Sequence, residues 1–164
     1  VEIPVGKNTF ALVDDADWDL YFCKWSTNRP QGAGFYAIRT FSCNGKRSRY
    51  PMHRVVLERK INRKLETSEI ADHINGNTLD NRRSNLRVAT TAQSVYNRSM
   101  SRRKPGGSKY RGINFEDGKW VARVFFKRKS IYLGRFDNEI DAALAHDAKA
   151  LELFGEFHRP NFPK

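Results

Sequence analysis

The chain has 164 residues, with 30 Lys and Arg against 18 Asp and Glu and a formal net charge of +12. Hydrophobic residues at 39% and aromatics at 12% are enough for a core and exclude a disordered basic tail, so the charge belongs to a folded protein whose default partner is an extended polyanion. Cys23 and Cys43 lack the C-x-x-C spacing of a zinc knuckle and are too few for a disulfide scaffold, so reduced thiols and no structural zinc are expected.

No uninterrupted apolar run reaches about 18 residues and no basic-then-apolar leader opens the chain, so a soluble, intracellular protein without a membrane partner is expected, cytoplasmic or nucleoid-associated. In the N-terminal part, 9–13 and 34–41 are rich in β-formers, and Asn44-Gly45 is a two-residue hairpin signal leading to a basic strand that ends near Tyr50. These predict an antiparallel β platform. Between them Asp14, Asp15 and Asp17 could cap a short helix whose Trp18, Leu20, Tyr21 and Trp25 share one buried face. After Pro51, residues 52–60 read as a helix with Val55, Val56 and Ile61 inward and Arg54, Arg59, Lys60, Arg63 and Lys64 outward. At 98–108 small, basic and turn-forming residues displace apolar ones, and a domain boundary is placed there, with 99–107 as a basic Gly/Pro linker.

Residues 70–98 carry chemistry. Asp72-His73 closes a short apolar strand, a loop of Asn, Gly and Asp runs to Ser84-Asn85-Leu86, a second strand covers 86–89, and a helix starts near Thr90 with Thr90 or Thr91 as its cap. Successive strand side chains point to opposite faces, so Asp72 and His73 can serve one site only where the strand ends or twists, as the Asn75-Gly76 turn permits. Phosphodiester hydrolysis needs an activated water and a positive group for the charge that grows on phosphate and leaving oxygen. A histidine near its ordinary pKa of about 6.5 accepts a proton at neutral pH, and a carboxylate such as Asp72 offers oxygen to a hard cation such as Mg²⁺.

The order Asp72-His73-Ile-Asn-Gly76-Asn77, Asn85-Leu86-Arg87 and Ala89-Thr90-Thr-Ala-Gln93 resembles the H-N-H homing endonucleases of the β-β-α-metal fold, and Met52-His53-Arg54-Val55 resembles the helix entry of that group. The resemblance covers most of 1–98, with the core motif at about 51–98. It implies that His73 is the general base, that Asn85 holds the loop and the histidine, and that Asp72 binds one divalent metal, Mg²⁺ or alternatively Mn²⁺. The family's second metal-ligating Asn falls at position 94, where this chain has Ser94, a weaker ligand; Asn97, about 4.5 Å further along a helix, is too far to replace it simply. His53 could face phosphate or pack its helix, and Arg54, Arg82 and Arg87 are candidate DNA-binding residues. His146 and His158 read as structural or solvated.

From 108 onward three short strands, joined at Asp117-Gly118 and at Lys127-Arg128-Lys129, precede a helix capped by Asp137, with Ile140, Ala143, Leu144, Ala148 and Leu151 on one face and Gly155 at its end. Alternation puts Trp120, Ala122, Val124 and Phe126 against the helix and Lys119, Val121, Arg123 and Phe125 outward, joined by Arg111, Asn114 and Tyr132. Such a face, with Lys127 and Arg128 at its turn, can enter the DNA major groove. The module resembles the plant APETALA-type (ethylene-response-factor) DNA-binding domain through Tyr110-Arg111-Gly112-Ile113, Gly118-Lys119-Trp120-Val121-Ala122, Tyr132-Leu133-Gly134-Arg-Phe136 and Asn161-Phe162-Pro163 over 108–163, where the sheet face contacts DNA. Arg123 and Phe125 stand where those domains usually carry Glu and Arg, so their target sequence does not transfer. Such domains also occur fused to H-N-H nucleases.

The reading is an α+β protein with an N-terminal nuclease domain at 1–98 and a DNA-binding domain at 108–164. It hydrolyses duplex DNA with one divalent metal and no obligate protein partner, in a phage or bacterial setting. One site implies nicking, or a double-strand break if two molecules act. The alternatives are a DNA-binding regulator with a degenerate nuclease domain and, on charge alone, an RNA-binding module.

Overall fold

A computed structural model describes residues 1–30, 34–97 and 107–162. The fold is α+β, built from small antiparallel sheets and short helices, in two compact units, Val1–Ser94 and Val95–Lys164. The expected linker lies outside the described residues except for position 107.

In the first unit, β1 (Glu2–Gly6) and β2 (Thr9–Leu12) form a hairpin, followed by a 3₁₀ helix (Asp15–Phe22), β3 (Ser26–Asn28), β4 (Tyr36–Cys43) and β5 (Lys46–Pro51). The last three make one sheet, and Asn44 and Gly45 turn β4 into β5 with φ of 50° and 73°, the positive pair a type I′ turn requires. Helix α1 (Met52–Ile61) follows Pro51, buries Met52, Val56 and Leu57, and ends at Asn62 with a left-handed φ of 54°. Strands β6 (Glu69–His73) and β7 (Leu86–Thr90) pair antiparallel, and α2 (Thr91–Asn97) follows directly. Thr90 caps α2 reciprocally with Gln93: Gln93 N–H donates to Thr90 Oγ1 at 3.3 Å, and Thr90 N–H donates to Gln93 Oε1 at 2.8 Å. The core gathers Ile3, Val5, Ala11, Val13, Leu20, Trp25, Met52, Val56, Leu57 and Leu86.

The aromatic stripe expected in this core divides. Leu20 and Trp25 are buried, but Trp18 and Tyr21 are each 55% exposed. The acidic residues cause this, because Asp17 is fully buried and receives Arg59 and Arg83, so the segment kinks at Asp17 as a 3₁₀ helix and turns its aromatic rings to solvent. Asp14 occupies the N-cap position, but its side chain makes no cap hydrogen bond and instead accepts the Arg83 N–H at 2.6 Å.

In the second unit, β8 (Ile113–Glu116), β9 (Lys119–Phe126) and β10 (Lys129–Phe136) form a sheet of order β10-β9-β8, and α3 (Glu139–Phe154) covers it. The cap of α3 is Asn138, whose side chain accepts the Ile140 N–H, while the expected cap Asp137 pairs with Lys119. The helix also turns differently from expectation. Ala142, Ala143, His146 and Ala150 face inward, and Ile140, Leu144 and Leu151 are exposed. Trp120, Leu133 and Phe136 already fill the sheet surface, so small alanines give the closer fit. Gly112, with φ of 72°, lies where a Cβ would fall 2.2 Å from the His146 ring, so the glycine is required twice over.

Candidate active site

The β6-β7-α2 unit brings Asp72, His73 and Ser94 together. His73 ends β6 opposite Leu86, and the loop to Asn85 folds back under it. Asn85 holds that loop from three sides: its carbonyl accepts the Ile74 N–H at 2.9 Å, its Oδ1 accepts the Asn75 N–H at 3.0 Å, and its Nδ2 donates to the Asp80 carbonyl at 2.8 Å. The His73 ring is held elsewhere, with Nε2 3.1 Å from Asn81 Oδ1, and Asn81 was not among the candidates read from sequence. Burial pushes the His73 imidazole below its ordinary pKa, outweighing the Asn81 hydrogen bond and the Asp72 and Asp80 carboxylates, so the ring is neutral at pH 7.

Asp72 is buried and uses both carboxylate oxygens. Oδ2 accepts from Arg87 Nε at 3.0 Å, and Oδ1 accepts from Ser94 Oγ at 2.9 Å. Two oxygens on adjacent vertices of a Mg²⁺ octahedron, each about 2.1 Å from the ion, stand about 3 Å apart. The 2.9 Å between Asp72 Oδ1 and Ser94 Oγ is an O–H···O hydrogen bond of ordinary length, and these two oxygens could serve one hard cation only with the hydroxyl hydrogen turned away. Among the described residues no group of three or more His, Cys, Asp or Glu gathers into a richer site. Asn97 is buried in the second compact unit.

His53, on the first turn of α1, lies with its ring centroid 5.0 Å from that of His73 and 5.4 Å from that of Tyr36. Its Nδ1 is buried with no hydrogen-bond partner among the described residues, and burial lowers its pKa to about 3, so it is a neutral wall of the site.

Many candidate cations are engaged within the fold. Arg54 donates to Glu58 at 2.9 Å and Lys64 to the same carboxylate at 2.8 Å. Arg59 is held by Asp17 and Asp19, Arg63 by Glu69, and Arg82 by both oxygens of Asp80 at 2.7 Å. Lys60 donates to the carbonyls of Arg83 and Leu86. The outward face of α1 is thus largely charge-compensated. Lys46, Arg47 and Arg49 on β5 are exposed and make no ion pair among the described residues. Composition could not separate these two sets, because pairing is decided by residues distant in sequence.

On the C-terminal sheet Asn114, Lys119, Phe125 and Tyr132 are exposed on the expected face, and Arg123 beside Tyr132 makes a two-pronged ion pair with Glu116. Val121 shares that face but is buried between Asn114 and Arg135, its neighbours in register. Arg111 departs from expectation. It precedes β8, burial lowers its pKa, and its Nη1 donates to the Tyr96 carbonyl at 2.9 Å, so it belongs to the packing of this unit rather than to the outward face. Lys127 and Arg128 form the β9-β10 turn at φ of 47° and 64°.

A strand pair, a following helix and a neutral histidine beside a carboxylate–hydroxyl pair define a nuclease-like unit. Residues 50–96 match the HNH endonuclease family. Over 157 residues the chain is 31% identical to an uncharacterized HNH endonuclease of Acanthamoeba polyphaga mimivirus, covering 95% of this chain and 76% of the viral protein. The chain belongs to the HNH endonuclease family. Its C-terminal part is also similar to APETALA2-like protein 2 of Oryza sativa, at 42% identity over 60 residues, and to an ethylene-responsive transcription factor of Arabidopsis thaliana, at 39% over 61 residues. Each match covers 35% of this chain and 14% of the plant protein.

Proposed function

We propose that the protein is a metal-dependent DNA endonuclease of the homing type that nicks one strand of duplex DNA. The observation that carries this reading is the neutral His73 at the end of β6, next in sequence to the Asp72–Ser94 oxygen pair. His73 takes a proton from the attacking water, the water oxygen forms the new bond to phosphorus, and the bond to the leaving sugar oxygen breaks. A divalent cation, Mg²⁺ or Mn²⁺, bound by Asp72 and Ser94 would stabilise the charge on phosphate and leaving oxygen. Arg87 keeps the second Asp72 oxygen in place and compensates its charge.

Duplex DNA docks through two basic surfaces. One is β5 with Lys46, Arg47 and Arg49, whose charges carry no internal partner among the described residues. The other is the C-terminal sheet, where the similarity to plant APETALA-type proteins supports base reading by Asn114, Lys119, Arg123, Phe125, Lys127, Arg128 and Tyr132 in a domain over 108–164. Arg123 must exchange its Glu116 partner for a base to take part.

The test is supercoiled plasmid with and without Mg²⁺ or Mn²⁺. Wild type converts it to open circles only with metal, and His73→Ala abolishes conversion; unchanged nicking by His73→Ala would overturn the assignment. A second reading, a DNA-binding regulator, draws on the engagement of both Asp72 oxygens by Arg87 and Ser94. Binding without cleavage at every metal concentration would select it.

A further inference from the structure

We infer that Asn81 is a positioning residue that fixes the tautomer of His73, placing the proton on Nε2 and the lone pair on Nδ1, and that the N-terminal β1-β2 hairpin acts on the site through it. This rests on the reading of His73 as the general base. The Asn81 amide is fully buried, and its orientation is determined by its own partners: Nδ2 donates to the Leu79 carbonyl at 3.3 Å and lies 3.4 Å from Met52 Sδ. Turned over, the amide would set its oxygen against the Leu79 carbonyl oxygen, two acceptors with no proton between them. Oδ1 therefore faces His73 Nε2 at 3.1 Å, and since an amide oxygen only accepts, Nε2 carries the hydrogen of the neutral ring.

The backbone around Asn81 is held as firmly as its side chain. Its N–H donates to the Leu12 carbonyl at 2.7 Å, and Leu12 N–H donates to the Leu79 carbonyl at 2.8 Å, forming a parallel bridge between Leu12 and Asp80. The end of β2 thereby holds the backbone of residues 79–81. The rings of His53, at 5.0 Å, and Tyr36, at 6.1 Å between centroids, also pack near the imidazole. The two asparagines divide the work: Asn85 fixes the backbone of the loop, and Asn81 fixes the ring that the loop carries. This also gives the hairpin, which lies outside the segment matched by the family, a role beyond core packing.

Removing the acceptor while keeping the branched shape releases the ring to populate the Nδ1–H form, which has no lone pair where the proton must go. Asn81→Leu is expected to lower kcat for nicking by about a hundredfold or more, within the range a general base contributes, with KM for DNA nearly unchanged. Asn81→Asp keeps an acceptor toward Nε2 but sets its second oxygen against the Leu79 carbonyl, so its activity is expected to fall between Asn81→Leu and wild type. The deciding readout is the ¹⁵N spectrum of histidine-labelled full-length protein at about pH 8, where ordinary imidazoles are neutral, with His73→Gln assigning the signal. Wild type is expected to show protonated Nε2 and unprotonated Nδ1, and Asn81→Leu a mixture. An Nδ1–H ring in wild type overturns the inference even if Asn81→Leu fails to fold. Unchanged kcat and an unchanged spectrum in a folded Asn81→Leu protein overturn it as well. Loss of the general-base reading would appear separately, as nicking that survives His73→Ala while the tautomer remains as stated.

Discussion

Ser94 donates its hydroxyl hydrogen to Oδ1 of Asp72 at 2.9 Å, so the position at which this chain departs from the family pattern is still joined to the carboxylate. If the hydroxyl is a ligand, Ser94→Ala will raise the Mg²⁺ concentration for half-maximal nicking by about tenfold, the lower end of the effect of disturbing a metal's surroundings. Ser94→Asn will lower it and raise the rate. A metal titration of plasmid nicking checks both, and an unchanged midpoint for Ser94→Ala would remove Ser94 from the site.

The Arg87–Asp72 pair is almost entirely withdrawn from water, with side chains 10% and 7% exposed. Deleting one member leaves the other charged, buried and uncompensated, a loss of about 3–5 kcal/mol. Arg87→Leu will destabilise the fold by about this much in urea unfolding. Added Mg²⁺ will restore part of the loss, because a cation bound to Asp72 compensates the same charge; no metal-dependent recovery would argue against Asp72 as a ligand.

His53 links stability to pH. Its folded pKa, lowered to about 3, lies below the ordinary value of about 6.5, so between these limits the unfolded chain binds a proton that the folded chain does not. Its contribution to stability is complete above pH 6.5 and is lost as pH falls toward 3, at about 1.4 kcal/mol per pH unit at most. His73, His146 and His158 are also lowered by burial and add slopes of the same sign. His53→Phe will reduce the slope of unfolding free energy against pH between 6 and 4 by about one proton. Equal slopes in the two proteins would show that the ring is not buried neutral.

The β9-β10 turn holds two non-glycine residues, Lys127 and Arg128, in the left-handed region that type I′ turns demand. Replacing them with Asn-Gly will stabilise the second compact unit by about 1–2 kcal/mol, since left-handed backbone strain is relieved. The same substitution will weaken DNA binding if the two cations contact phosphate, and the dependence of log K on log salt will fall by up to about two contacts. Thermal unfolding and salt-dependent titration read the two effects independently.

Much of the architecture was legible in local pattern. Asn44-Gly45 and Asp117-Gly118 made their turns, Pro51 opened α1, Thr90 capped α2 and Gly155 ended α3, because each of these choices is made by a few adjacent residues. The errors arose where distant residues decide. The orientation of α3 was set by the bulk of Trp120, Leu133 and Phe136 across the interface, and Trp18 and Tyr21 turned outward because Asp17 was drawn inward by Arg59 and Arg83. In the site, Asp72, His73, Asn85 and Ser94 stand in recognisable order, whereas Asn81 resembles any loop asparagine. Only the return of Leu12 from the other end of the unit and the burial of the amide against Met52 single it out.

Most cations of α1 are paired with acids, whereas Lys46, Arg47 and Arg49 of β5 have no acidic partner among the described residues. Glu58, Asp17, Asp19 and Glu69 weaken the field of the helix face, while Lys46, Arg47 and Arg49 project theirs over about a Debye length, near 10 Å at 0.1 M salt. On the proposed reading, that longer reach adds β5 to the attraction the unit exerts on a polyanion before contact.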